Sequence, residues 1–298
     1  MKHNLIIVLL YPVLAVCALA EQDAGAKVSV CGNPYAGPLI RRLGDDFQKM
    51  NPETAVGMTE VGNGGGANAL LNRKCDMAVM TRLMNERELK TAKRMTVVPK
   101  PHTIAFDAIL VVIHPSNQVA LLSTTDVHRI FVGSITNWQQ VGGTDSTIAR
   151  VSREPSSGTY EFFESLFLRG SVAAECNVAC PVEWCGSDDG VRNQVRQRPN
   201  AIGFIRRASL DDTVRALRIG DAQPTPLEIA GGKYPITRTI YLYTDGEPKP
   251  GSPLETFLRY VESDSGKSII DKAGMLPPVP VNAKDKEDSQ SAPRELTH

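Results

Sequence analysis

Three short polar segments contain the residue types that bind small anions. They contain glycine and small polar residues, and they lie at residues 32–35, 62–66 and 153–159. Each follows a run typical of a strand and precedes a run typical of a helix. The first turn of a helix presents unpaired N–H groups and about half a positive charge, which makes it a site for anions. Three such turns and the Arg153 guanidinium would together supply about +2.5 charges, which nearly balances a dianion.

Each segment also has an ordinary structural explanation. A glycine-rich turn is most often a tight loop, and Ser157 or Thr159 alone is a common helix N-cap. Arg153 alone is a common surface ion pair. The occurrence of all three segments at strand ends favours an anion site, to which the Ser157 and Thr159 hydroxyls and the Asn63 amide add hydrogen-bond donors.

Catalytic residues do not form any familiar pattern in this sequence. There is neither a G-x-S-x-G elbow nor an H-E-x-x-H motif, and the histidines of the mature chain are scattered at positions 102, 114, 128 and 298. Residues 265–268 resemble the end of a P-loop, but Val261 stands where that motif requires its first glycine. The sequence therefore favours a binding protein over an enzyme and predicts no cofactor and no metal.

Strands and helices are predicted to alternate along most of the chain. Leu39, Leu43 and Phe47 recur at four-residue spacing and predict a helix over residues 35–50, whereas residues 62–66 are predicted as a sharp turn. Such alternation is typical of α/β folds with parallel sheets.

Two long strands are predicted at about 104–113 and 236–243, and they bracket the middle of the chain. We therefore expect two α/β lobes, each a mainly parallel sheet flanked by helices, joined by two crossing hinge segments. Lobe 1 takes residues 27–113 and 236–278, and lobe 2 takes residues 114–235, with hinges near Ile113 and Ile236. Ligands of open α/β sheets bind beyond the carboxyl ends of the strands, so a cleft between the lobes is the expected site.

The two ends of the chain have distinct compositions. A basic start at Lys2, an apolar stretch over residues 5–16 and the small-residue sequence Ala18-Leu19-Ala20 predict a signal peptide at residues 1–20. Lipidation of Cys17 is the alternative. Residues 282–298 are polar, mixed in charge and aperiodic, which predicts a disordered tail.

The charge balance bears on the class of partner. The 298 residues include 33 basic and 33 acidic side chains, and this net charge of zero argues against a nucleic-acid partner.

Five cysteines remain after cleavage, at positions 31, 75, 176, 180 and 185. An odd number leaves at least one thiol free or paired with another chain. Residues 181–185 alternate as a short strand does, which would separate Cys180 from Cys185 by roughly 16 Å and exclude a disulfide between them. We expect a Cys176–Cys180 disulfide, with Cys176–Cys185 as the second choice and three reduced thiols as the remaining alternative.

The motif at residues 153–159, Arg-Glu-Pro-Ser-Ser-Gly-Thr, resembles the Arg…Ser-Gly-Thr signature of periplasmic phosphate-binding proteins, the solute receptors of ABC phosphate importers. Residues 135–143 resemble the Thr-Asn-Trp…Val-Gly-Gly stretch of that family, and the resemblance extends from about Val28 to Pro278. It implies the type II periplasmic-binding-protein fold and a periplasmic location. It also implies inorganic phosphate as ligand and an ABC permease in the inner membrane as partner, and we expect a monomer.

The resemblance assigns ligand contacts to residues of both lobes. Arg153 would pair with the phosphate, and Ser157, Gly158 and Thr159 would donate hydrogen bonds to it from lobe 2. The backbone N–H of Tyr35 would contact it from lobe 1.

Three further positions of lobe 1 depart from the family pattern. Asn63 lies where the family usually has a serine, and Pro34 replaces a common threonine. Thr81 occupies a position where some members have an aspartate that accepts the proton of monohydrogen phosphate. Thr81 can accept one hydrogen bond there, and Asp188 is a possible substitute for the carboxylate.

Two alternative functions remain at this point. The same fold could bind another oxyanion such as sulfate, molybdate or tungstate. The chain could also be an exported enzyme that acts on a phosphorylated substrate.

Overall fold

A computed structural model describes residues 26–168 and 182–278 of the chain. The predicted signal peptide at residues 1–20, the predicted tail at 282–298, Cys176 and Cys180 lie outside the described residues. Cys31, Cys75 and Cys185 are free thiols. None of the helices in the described part combines the length and the apolar character that crossing a bilayer requires.

Strands and helices alternate through the first part of the chain, as predicted. Leu39, Leu43 and Phe47 are buried on one face of the first helix, which confirms the prediction from their spacing. A 3₁₀ turn at Pro34–Ala36 precedes this helix. The elements are β1 (Ala26–Gly32), α1 (Gly37–Met50), β2 (Thr54–Glu60), α2 (Gly62–Leu71), β3 (Met77–Met80) and α3 (Glu86–Arg94).

The prediction of a sharp turn at residues 62–66 is wrong, because these residues form the first turn of α2. Glycine disfavours helix in isolation, but here packing requires it. A Cβ atom added at Gly66 would lie 2.7 Å from the Cα of Gly32, so the missing side chain lets α2 pack directly against β1. Gly66 therefore serves close helix–strand contact.

The middle of the chain continues the alternation with shorter elements. Residues 182–185, part of the predicted short strand before Cys185, are extended as expected. The elements are β4 (Pro99–Ile113), β5 (Leu121–Leu122), α4 (Thr124–Phe131), β6 (Ala149–Arg153), α5 (Gly158–Phe167), β7 (Val182–Cys185), α6 (Asp188–Gln197), β8 (Ala201–Arg206), β9 (Arg215–Ala216), β10 (Arg218–Ile219) and α7 (Pro226–Ala230). The last elements are β11 (Thr237–Asp245), α8 (Pro253–Glu262) and α9 (Asp264–Lys272).

The main sheet has the strand order β2-β1-β3-β11-β4-β8-β6-β7, with β9 paired to β4. Its two outer parts are parallel: β1 pairs with β2 and β3, and β6 pairs with β7 and β8. The two central strands are antiparallel to each other and to their outer neighbours β3 and β8. This arrangement confirms the predicted two-lobe α/β fold with long crossing strands.

The crossing strand β4 belongs to both lobes. It pairs with β11 as far as Ala108 and with β8 from Ile109 onward. One apolar core packs under α1, α8 and α9, and the other packs under α4, α5 and α6. The change of neighbour falls earlier in β4 than Ile113, and the domain limits given above stay a prediction.

Candidate functional site

The lobe 1 part of the candidate site lies at the carboxyl ends of β1 and β3 and at the start of α2. The amide oxygen of Asn63 accepts from the backbone N–H of Thr81 at 2.9 Å, and the Asn63 amide nitrogen lies 3.1 Å from the Thr81 hydroxyl. Asn33, which the sequence reasoning did not single out, reaches the same hydroxyl at 3.4 Å. The structure thus brings Asn63 and Thr81 together.

Helix α2 begins without a capping side chain and without an acidic residue in its first turn. The space beside Gly64 is open, since a Cβ added there would meet no atom within 4 Å. The backbone N–H groups of this turn therefore remain accessible to an anion. The N–H of Tyr35, by contrast, already donates to the Asn33 side chain at 2.9 Å.

The lobe 2 part begins at α5, where Ser157 is the N-cap. Its hydroxyl accepts from the backbone N–H of Thr159 at 3.2 Å, so the ordinary capping explanation holds for Ser157. Gly158 is exposed and Thr159 is buried. The Ser157 hydroxyl keeps its own hydrogen for donation to a ligand.

Arg153 ends β6 and is fixed by three acceptors. Its Nη1 donates to Asp188 at 2.5 Å, its Nη2 to the carbonyl of Gly186 at 3.0 Å, and its Nε to the carbonyl of Cys185 at 3.3 Å. The side chain of Asp188 is only 3% exposed and that of Arg153 is 13% exposed. Because Nη1 and Nη2 each carry a second hydrogen, the guanidinium can still donate to an anion while it is held in place.

Arg206 is a residue that the sequence reasoning missed. Its Nε donates to the second carboxylate oxygen of Asp188 at 2.7 Å, so that Asp188 lies between two arginines. Strands β6 and β8 are parallel neighbours, and Arg153 and Arg206 are their last residues. The sequence signal that could have identified this pair is an arginine at the end of each of two parallel strands.

A third arginine lies between the lobes, on β11. The Arg238 guanidinium stacks on the Tyr35 ring and on the Phe162 ring, and its Nη2 donates to the carbonyl of Gly158 at 3.3 Å. The Tyr35 hydroxyl in turn donates to the buried carboxylate of Asp107 on β4. Sequence reasoning missed Asp107 and Arg238, which lie inside the two long strands β4 and β11.

Burial changes the titration of these central groups. Burial raises the pKa of Asp107, although the Tyr35 hydroxyl and the charge of Arg238 act in the opposite direction. Burial also raises the pKa of Tyr35, and the charge of Asp107 adds to that rise. Burial lowers the pKa of Arg238.

The arrangement favours binding of an anion. Three arginines, at positions 153, 206 and 238, stand against the carboxylates of Asp107 and Asp188, which leaves one net positive charge when all five are ionised. Among residues 26–168 and 182–278 there is no group of three or more His, Cys, Asp or Glu side chains that could hold a metal ion.

Comparison with known proteins identifies the family. A family model described as a PBP superfamily domain matches residues 19–265. The chain belongs to this superfamily. A relative from Bacillus subtilis (strain 168), named phosphate-binding protein PstS, is 29% identical over 262 residues, which is 87% of this chain and 83% of the relative. The PstS of Borreliella burgdorferi is 24% identical over 93% of this chain and 99% of its own length.

Solved structures agree with the family assignment. The crystal structure of PstS from Borrelia burgdorferi superposes with a TM-score of 0.74 at 25% identity, covering 85% of this chain and 99% of that one. The structure of an ABC-type phosphate transport receptor from Vibrio cholerae gives a TM-score of 0.72 at 27% identity, covering 85% and 100% of the two chains. The two-lobe fold is therefore that of periplasmic binding proteins.

Proposed function

We propose that the protein is an exported solute-binding protein that captures inorganic phosphate between its lobes and delivers it to the permease of an ABC importer in the inner membrane. The names of its relatives support this proposal, since they are phosphate-binding proteins and a phosphate transport receptor. Such receptors are not enzymes, and they bind their ligand without changing it. The proposed location is the periplasm, reached through the predicted signal peptide, and the proposed state is a monomer.

The observation that carries the proposal is the fixed guanidinium of Arg153 beside the start of α5. A buried aspartate and two carbonyl groups hold this side chain, so little side-chain entropy is lost when it binds an anion. The hydroxyls of Ser157 and Thr159 follow in the next turn of the chain. The open N–H groups at the start of α2, together with Asn63 and Thr81, would close around the anion from lobe 1.

Asp188 has a different role in this proposal from that of a ligand contact. Both of its oxygens accept from arginines, which suits it to hold Arg153 in place rather than to accept the phosphate proton. Thr81 has no carboxylate, so neither residue offers a free carboxylate to the proton of phosphate. The site therefore recognises phosphate mainly by donating hydrogen bonds.

Calorimetric titration of the mature protein tests the proposal. We expect phosphate to bind at a single site and more tightly than chloride, and sulfate, molybdate and tungstate are titrated in parallel. Arg153→Ala removes a charge-assisted hydrogen bond worth about 1.5–3 kcal/mol, so it should weaken phosphate binding at least about tenfold. Arg87→Ala, at an exposed position of α3, is the matched control and should bind like the wild type.

Two results would contradict the proposal. The first is a wild-type affinity for phosphate no better than that for chloride. The second is an Arg153→Ala variant that binds phosphate as the wild type does. Tighter binding of sulfate, molybdate or tungstate would replace phosphate by that oxyanion as the ligand.

Lobe closure is a further part of the proposal. Because ligand groups come from both lobes, phosphate should favour the closed state through its differential affinity for it. Small-angle scattering should show a smaller radius of gyration at saturating phosphate. An unchanged radius would contradict closure without contradicting binding.

A further inference from the structure

Arg238 touches both parts of the candidate site with one side chain. It is only 8% exposed, and its guanidinium carbon lies 3.9 Å from the centre of the Tyr35 ring and 4.1 Å from that of the Phe162 ring. Tyr35 lies in the turn that follows β1 in lobe 1, whereas Phe162 and Gly158 lie on α5 in lobe 2. The flat cation is thus stacked on one ring from each lobe.

On each side of Arg238, hydrogen bonds lead to residues of the anion site. The Tyr35 backbone N–H donates to Asn33, whose side chain reaches the hydroxyl of Thr81. On the other side, Arg238 donates to the carbonyl of Gly158, the first residue of α5. The guanidinium therefore lies between the two turns that would hold the anion and contacts both of them.

The surroundings of Arg238 do not include a salt-bridge partner. In the described part of the chain no carboxylate lies within ion-pair distance of it, and Asp107 and Glu161 act on it only over longer range. Asp107 instead accepts from the hydroxyl of Tyr35, which fixes the far end of the stacked ring. The two ring faces and one carbonyl are thus the main partners of this buried cation.

We propose that Arg238 is a positioning residue for the anion site, which aligns the Tyr35 turn with the start of α5 through the shape of its guanidinium. The proposal rests on the proposed function, because the anion site is the one described above. A planar group can stack on two rings at once while its edge donates to a carbonyl. A lysine ammonium has the same charge but cannot do this, so charge and shape can be separated by substitution.

The test compares Arg238→Lys and Arg238→Met by calorimetric titration with inorganic phosphate. We expect both variants to bind phosphate at least about tenfold more weakly than the wild type, because both lose the double stack. A lysine variant with wild-type affinity would overturn the proposal, since charge alone would then suffice. Circular dichroism and the urea midpoint establish that each variant is folded.

A double-mutant cycle on the two rings supplies a second measurement. Tyr35→Leu and Phe162→Leu remove the two rings separately and together. We expect the two losses of phosphate affinity to be coupled by at least about threefold when Arg238 is present. The same cycle in the Arg238→Met background should be additive.

The outcomes separate this proposal from the proposed function. If the wild type does not bind phosphate, the proposed function fails. If the wild type binds and the cycle is additive with Arg238 present, only the positioning role fails.

Discussion

Asp188 and Asp189 form a natural matched pair for measuring what the buried carboxylate does. They are adjacent in the first turn of α6, and replacing either by asparagine removes one negative charge from the same helix terminus. Their side chains are 3% and 65% exposed. Asp188 holds Arg153 at 2.5 Å and Arg206 at 2.7 Å, whereas Asp189 pairs with Arg192 at 3.1 Å on the surface.

The expected losses of stability differ because of this burial. Removing one partner of a buried ion pair costs about 3–5 kcal/mol, since the other charge stays buried and unpaired. Asp188→Asn retains one acceptor oxygen, and the 42% exposed side chain of Arg206 can regain water. We therefore expect Asp188→Asn to lower the free energy of unfolding by about 2–4 kcal/mol. Asp189→Asn should lower it by about 1 kcal/mol or less.

Urea unfolding followed by circular dichroism measures the difference between the two variants. The interaction with the helix dipole is nearly the same at both positions, so it cancels in the comparison. The effect of Asp189→Asn should shrink at high salt and that of Asp188→Asn should not, because salt screens exposed charges most. Asp188→Asn should also weaken phosphate binding, as Arg153 loses its support.

Equal urea midpoints for the two variants would refute this reasoning. So would an Asp188→Asn variant more stable than the wild type, because the carboxylate would then be a net cost to the fold. A large loss of stability with unchanged phosphate affinity would confine the role of Asp188 to stability.

Two further predictions concern stability alone. Gly66→Ala places a Cβ 2.7 Å from the Cα of Gly32 and should cost about 1–3 kcal/mol. Gly64→Ala on the same helix meets open space and should stabilise the fold by a few tenths up to about 1 kcal/mol. Thermal unfolding distinguishes the two variants, and equal shifts of their unfolding temperatures would contradict the packing argument. The ring of His102, hydrogen-bonded to Thr244 at 3.0 Å, has a pKa lowered by burial from 6.5. The unfolded chain therefore binds more protons below pH 6.5, and stability should fall as the pH drops through and below that value. His102→Gln should flatten this dependence in urea titrations between pH 5 and 8, and an unchanged slope would contradict it.

The sequence by itself determined the class of fold and the ends of the strands at which a ligand could bind. These features are local: the spacing of Leu39, Leu43 and Phe47 defines a buried helix face, and an N-cap such as Ser157 marks the helix that follows a strand. Arg153 could be identified for the same reason, because it follows a predicted strand and begins a recognisable motif.

Local patterns were insufficient where packing reversed a propensity. The glycines at residues 62–66 predict a turn by their composition, and only the structure shows that they begin α2 and that Gly66 packs against Gly32 of β1. The distance between Gly66 and Gly32 is a property of the assembled sheet. The spacing of residues along the sequence does not predict this contact.

Only the tertiary structure decided which charged groups meet. Asp188 accepts from Arg153 and Arg206 because β6 and β8 are neighbours in the sheet. Arg238 reaches Tyr35 and the start of α5 because β11 crosses between the lobes. Alternation along a strand fixes which face a side chain occupies, but the strand order and the register of its neighbours fix what that side chain contacts. The sequence thus indicated where an anion could bind, and the pairing of distant strands supplied the second and third arginines and placed Asp188 between Arg153 and Arg206.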